Sequence, residues 1–142
     1  VNDPIWYITK DGDRSCLRLF RRHYSCRNKR PKQGQFVGPG EHVVLRTDRG
    51  DAVFVWRAAE FRRDGQEGIE CSLFRNESEY RSSDLIGQAD AIADFCWPNR
   101  RHYTFVDQAA VRSSNPGYCF LAAGWHRCGY TGNKLVILER LP

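Results

Sequence analysis

The chain predicts an α/β or α+β fold, in which a mixed, mostly antiparallel central sheet carries helices on both faces. Three observations carry that class. The 142 residues, 41% of them hydrophobic, suit one compact domain over residues 1–142 with a core of its own. Apolar runs of strand length recur through the first half, separated by Gly-containing turns. From residue 83 the apolar positions change to a spacing of three and four, the period of a helix.

Residues 5–9 read as a first strand, followed by the turn Asp11-Gly12-Asp13 and a helix capped by Ser15 and carrying Leu17, Leu19 and Phe20. Residues 27–40 hold Pro31, Gly34, Gly38, Pro39 and Gly40 without an apolar period, which makes them a loop suited to facing substrate. Residues 42–46 and 52–57 form a hairpin across Asp48-Arg49-Gly50. A turn at Asp64-Gly65 leads into a strand over 68–74, where Glu70 alternates with Ile69 and Cys71 and is expected to face solvent. Leu85, Ile86, Ala89, Ile92, Ala93 and Cys96 define an amphipathic helix over 83–97, capped by Ser82 or Ser83 and stopped by Pro98. Residues 103–106 are a strand. Asn115-Pro116-Gly117 opens a short helix with Asn115 or Ser114 as cap and Pro116 at its first position, and Gly124 ends it. Residues 134–141 form the last strand, paired with 125–130 across Thr131-Gly132-Asn133.

Composition narrows the function classes. Apolar runs such as 52–56 and 135–138 fall far short of the roughly 20 residues that cross a bilayer, so no membrane span is expected. The first residues lack a basic segment followed by an apolar run, and the expectation is a cytoplasmic protein. The six cysteines are scattered, without C-x-x-C spacing, and are read as reduced, mostly buried thiols. No two histidines stand a short helical step apart, so no metal site is expected. The net charge of +5 is concentrated in Arg18, Arg21, Arg22, Arg27, Lys29, Arg30 and Lys32, with no acidic residue among them. Such a cluster attracts phosphates through charge and counterion release. Arg21, Arg22, Tyr24, Arg27, Lys29, Arg30 and Lys32 are therefore the candidate nucleic-acid-binding residues.

The run Asn115-Pro116-Gly117-Tyr118-Cys119-Phe120-Leu121-Ala122-Ala123-Gly124-Trp125 resembles the last helix and Gly-aromatic turn of the GNAT (N-acyltransferase) superfamily. The resemblance covers about half the chain, from Gly68 to Glu139. It implies a GNAT-like sheet in which a donor lies between two splayed parallel strands, here 69–74 and 103–106, with a pyrophosphate on the N-terminus of the following helix. That helix starts here at Arg81-Ser82-Ser83-Asp84-Leu85-Ile86-Gly87, which departs from the superfamily's glycine-rich signature and adds a carboxylate. Weakened acyl-CoA binding or a different donor follows, and the cofactor is left unassigned. Phe74-Arg75-Asn76-Glu77, the Ser82-Ser83 helix start and Arg22-His23-Tyr24-Ser25 resemble a divergent branch, the Mom-type DNA-modification proteins of phages.

This second resemblance implies transfer of a group to the N6 amino group of adenine in double-stranded DNA, which shields the DNA from restriction. It implies Phe74, Asn76, Ser82, Ser83 and Asn115 as donor-binding residues. Tyr118 stands where many GNAT enzymes carry the tyrosine that protonates a leaving thiolate. His23 is a candidate to take a proton near neutral pH, and Asp107, just after a strand, is a further candidate base. Modifying a base within a duplex requires extruding it, and Tyr24, Phe36 or Trp56 are candidates to stack on it. Two other functions fit the same residues: an acyl-CoA-dependent N-acyltransferase acting on a small amine or protein, and a nucleic-acid-binding module without catalysis. Oligomeric state is not readable from these patterns.

Overall fold

The computed structural model describes residues 5–23, 34–58, 65–110 and 117–142. In chain order they form β1 (Tyr7–Thr9), α1 (Arg14–Arg21), β2 (Glu41–Arg46), β3 (Ala52–Ala58), β4 (Ile69–Asn76), α2 (Ser82–Cys96), β5 (His102–Val106), α3 (Tyr118–Ala122), β6 (His126–Tyr130) and β7 (Val136–Arg140). The strands make one seven-stranded sheet in the order β1-β2-β3-β4-β5-β7-β6. Every neighbouring pair is antiparallel except β4 and β5, which run parallel because α2 crosses over between them.

The two faces of the sheet are covered by different helices. Strand β3 is buried from Ala52 to Trp56, and its side chains divide by alternation. Val53 and Val55 join Cys16, Leu19 and Phe20 of α1 in one cluster. Phe54 and Trp56 join Leu85, Ile86, Ala89 and Ala93 of α2 and Phe120 of α3 in the other. The indole N–H groups of Trp6 and Trp56 donate to the carbonyls of Leu85 and Ala89, which fixes the depth of α2 on the sheet. Among the described residues no helix is long and apolar enough to cross a membrane.

Element types follow the expectations, while several helix caps differ. Asp13, not Ser15, caps α1: its carboxylate accepts from the backbone N–H groups of Ser15 and Cys16, and the Ser15 hydroxyl donates to it as well. An ionised acceptor two residues earlier reaches the first-turn donors better than a hydroxyl inside the helix. Helix α2 starts after Arg81 with no side-chain cap, because Ser82 is already its first residue; the Ser82 hydroxyl accepts from the Asn76 amide. Gly117 rather than Asn115 precedes α3, in a left-handed conformation (φ 80°) in which a Cβ would come within 2.7 Å of Leu138. Asn115, Ser114 and Pro116 lie outside the described residues.

Candidate functional site

Strands β4 and β5 are paired only at their base, Ile69 with His102 and Glu70 with Tyr103. Gly68 makes this close approach feasible. Its φ is 126°, and a Cβ there would lie 2.2 Å from the Arg101 carbonyl oxygen. Beyond the base, the Thr104 hydroxyl donates to the Cys71 carbonyl at 2.9 Å, and the strands then part. The parting coincides with a β-bulge, since Val55 and Trp56 face Leu73 and Cys71 and leave Ser72 as the extra residue. The bulge reverses the alternation of β4: Ile69 and Cys71 belong to the α2 face, Leu73 to the α1 face, and Phe74 packs back against the α2 cluster.

The gap between the strands is a cleft of about 290 Å³ lined by Glu70 to Phe74 of β4, by Thr104 to Asp107 at the end of β5, and by His23, Phe120 and Leu135. Two residues named from sequence as proton carriers, His23 and Asp107, thus meet at one cavity although they are far apart in the chain. His23 follows the C-terminal end of α1, with its backbone N–H donating to the Phe20 carbonyl and its ring hydrogen-bonded to the Phe74 backbone. Burial, and then the nearby Arg75 cation, lower its pKa to about 4, so the ring is neutral at pH 7. Asp107 accepts from the backbone N–H groups of Ala109 and Ala110, a local turn that fixes its carboxylate just past β5.

Glu70 was missed by the alternation argument. It is 8% exposed rather than solvated, it lines the base of the cleft, and Arg57 pairs with it at 3.0 Å. It lies beside Arg57 on β3, and an arginine on the neighbouring strand is the one sequence signal that could have marked a buried carboxylate there. Cys71 also lines the cleft, but burial raises its pKa well above the ordinary thiol value, so it stays protonated. Cys16 is pushed up to about 12 for the same reason. The five described cysteines are free thiols.

The remaining candidates divide between the cleft and its surroundings. Phe74 lines the cleft and packs on Phe54 and Phe120. Asn76 uses its amide inside the β4–α2 turn, donating to the Tyr80 carbonyl and the Ser82 hydroxyl and accepting from Ser78. It shapes the approach to α2 together with Ser82, while Ser83 sits half-buried in the first turn. Tyr118 is 62% exposed at the start of α3, outside the cleft lining, and Phe120 occupies the inward position. Trp56 is fully buried, so its ring is not available to stack on a base, and half-buried Phe36 stacks on Phe20. Arg21 is exposed, whereas Arg22 is held by Glu77 through two hydrogen bonds of 2.9 Å. Tyr24, Arg27, Lys29, Arg30 and Lys32 lie outside the described residues.

Glu77 also accepts from Arg75, whose guanidinium donates in turn to the Arg22 carbonyl. This clamp ties the end of α1, and therefore His23, to the end of β4. The two arginines lower the Glu77 pKa to about 2, so the carboxylate is ionised at neutral pH. A separate buried network stands on the α2 face. Asp90 accepts from the Trp125 indole N–H and meets His102 Nδ1 at 2.7 Å, while Arg140 pairs with Asp94. Its members do not line the cleft, and no sequence motif announced it. Trp125 is therefore a packing and hydrogen-bonding residue. Among the described residues no group of three or more metal-ligating side chains is assembled.

At the start of α2 the residues present do not fit a coenzyme A pyrophosphate. No glycine stands between Asn76 and Ile86 to let phosphate approach the backbone, and the exposed Asp84 carboxylate occupies the first turn.

A parallel pair splayed apart within a mostly antiparallel seven-stranded sheet, with α1 on one face and α2 and α3 on the other, is the fold of the GNAT N-acyltransferases. A crystal structure of an acyl-CoA N-acyltransferase from Pseudomonas aeruginosa superposes with a TM-score of 0.61 over 95% of this chain and 98% of that one, at 16% sequence identity. At that identity the likeness concerns the fold. No protein-family model and no curated protein matches the chain.

Proposed function

We propose that the protein is a transferase that moves a group from an activated donor to an amine in the β4–β5 cleft, and that this amine is N6 of adenine in DNA. The observation that carries the reading is the convergence of His23 and Asp107 on one cavity of suitable size between splayed parallel strands. In the transfer the amine nitrogen attacks the donor carbonyl, a C–N bond forms and the bond to the leaving group breaks. The proton lost by the amine goes to a base, and neutral His23 and the Asp107 carboxylate are the groups placed to accept it. Glu70, paired with Arg57 at 3.0 Å, closes the base of the cleft. No step is assigned to coenzyme A, given the misfit at the start of α2.

The choice of DNA adenine rests on the resemblance of Arg22-His23 and Phe74-Arg75-Asn76-Glu77 to the Mom-type proteins, and on the basic character of the α1 end of the chain. A second reading, an acyl-CoA-dependent N-acyltransferase acting on a small amine or protein, is favoured by what the superposed Pseudomonas protein is named for. Nucleoside mass spectrometry of DNA from cells producing the protein separates the two. A new adenine adduct is expected; unmodified adenine with soluble protein, together with heat released on titration with an acyl-CoA, would establish the second reading instead.

A further inference from the structure

The outer face of α1 is a row of unneutralised positive charge. Arg14, Arg18 and Arg21 stand at i, i+4 and i+7, which puts them on one side of the helix. They are the exposed residues of α1, while Cys16, Leu19 and Phe20 anchor the opposite side in the core, so the arginines cannot turn inwards. Among the described residues none of the three enters an ion pair or hydrogen bond. Arg22, next in the chain, is neutralised by Glu77 and does not belong to the row. No acidic residue occurs between Arg14 and Arg22.

We propose that this face of α1 seats the sugar-phosphate backbone of duplex DNA and leads it to the mouth of the cleft. Seven residues of helix rise about 10 Å, close to three phosphate-to-phosphate steps of one strand at roughly 3.4 Å of duplex axis each. Guanidinium forks suit phosphate oxygens, and an exposed face made of arginine alone offers no apolar side chain to hold a peptide. The row also has a direction, because Arg21 lies two residues before His23, which lines the cleft. The purpose assigned to the row rests on the group-transfer reading; the binding itself does not.

The test is fluorescence anisotropy of a labelled duplex titrated with the full chain at several salt concentrations. For a variant carrying R14Q, R18Q and R21Q, the slope of log affinity against log salt is expected to become shallower by about 0.9 for each phosphate that is no longer neutralised. The corresponding triple lysine variant keeps the charge and is expected to retain most of the slope, which separates loss of charge from loss of fold. Arg100→Gln, an exposed charge elsewhere, should change the slope less than Arg18→Gln. A glutamine triple variant that binds with the wild-type slope overturns the proposal. So does a polyglutamate peptide that displaces the duplex at equal charge concentration, which would mark an acidic protein as the partner. An adenine adduct formed by a protein whose binding ignores the triple substitution would leave the transferase reading standing and remove only the docking face.

Discussion

At the scale of single residues, His23 is the proton acceptor proposed for the cleft that it lines. Its pKa is lowered to about 4 by burial and by Arg75, so a role as proton acceptor is available at neutral pH and is lost as the pH falls through that value. The same displacement fixes the sign of its effect on stability. The folded value lies below the unfolded value of about 6.5, so the contribution is present above pH 6.5 and disappears as the pH falls toward about 4. Arg75→Gln removes the nearby positive charge, and NMR titration of the His23 ring should show its pKa rising toward the ordinary value; an unchanged pKa would count against that cause. Loss of the base in His23→Ala or Asp107→Asn is expected to lower the transfer rate by about 10²–10⁴-fold, measured as adduct formed per unit time with folding checked by circular dichroism. Both residues stood out in the sequence as candidates, one beside a tyrosine and a basic run, the other just past a strand, and both line the cleft. Glu70 was not, because strict alternation assigns it to solvent, whereas the face it occupies is closed by Arg57.

The clamp and the caps act at the scale of elements. Glu77 joins Arg22 and Arg75, so Glu77→Gln should loosen the end of α1 without unfolding the sheet. Hydrogen exchange is expected to quicken at His23, whose N–H bonds to the Phe20 carbonyl, and to stay slow in β3; equal protection in both proteins would contradict the role given to the clamp. Asp13→Ala removes the acceptor for the first-turn N–H groups of α1 and should cost about 0.5–2 kcal/mol in denaturant unfolding, whereas an unchanged midpoint would contradict a stabilising cap at Asp13. The hairpin across Asp48-Arg49-Gly50 and the helix α2 could be read from the chain because turn chemistry and period are local signals. The bulge at Ser72 could not, since an inserted residue is defined by the strand opposite it and leaves no mark on its own segment.

The parallel join between β4 and β5 gives the whole molecule its cleft. Everything upstream of it is a set of hairpin-like neighbours, while β4 and β5 meet only after the α2 crossover, and their contact depends on the backbone approach at Gly68. Gly68→Ala sets a methyl against the Arg101 carbonyl in a backbone conformation that side chains disfavour, and should destabilise the protein by about 1–3 kcal/mol or more. Thermal unfolding checks this, and a neutral substitution would mean that the base of the cleft tolerates opening. The sequence resemblance named the splayed strands in the right places, 69–74 and 103–106, because the patterns of strand, helix and Gly-Trp turn survive in order. The crossing of α1 over the opposite face, which brings His23 to the cleft, depends on contacts with Val53, Val55 and Leu73 that no local pattern reveals.

Transfer of a group to adenine in DNA through His23 and Asp107 is the reaction proposed for this cleft. It is tested most directly by digesting DNA from cells producing the wild-type protein, His23→Ala or Asp107→Asn, and weighing the nucleosides. An adenine adduct from the wild type alone is the expected result. An adduct of equal abundance from all three proteins would place the chemistry outside the cleft, and none from a soluble, folded wild type would remove adenine as the acceptor.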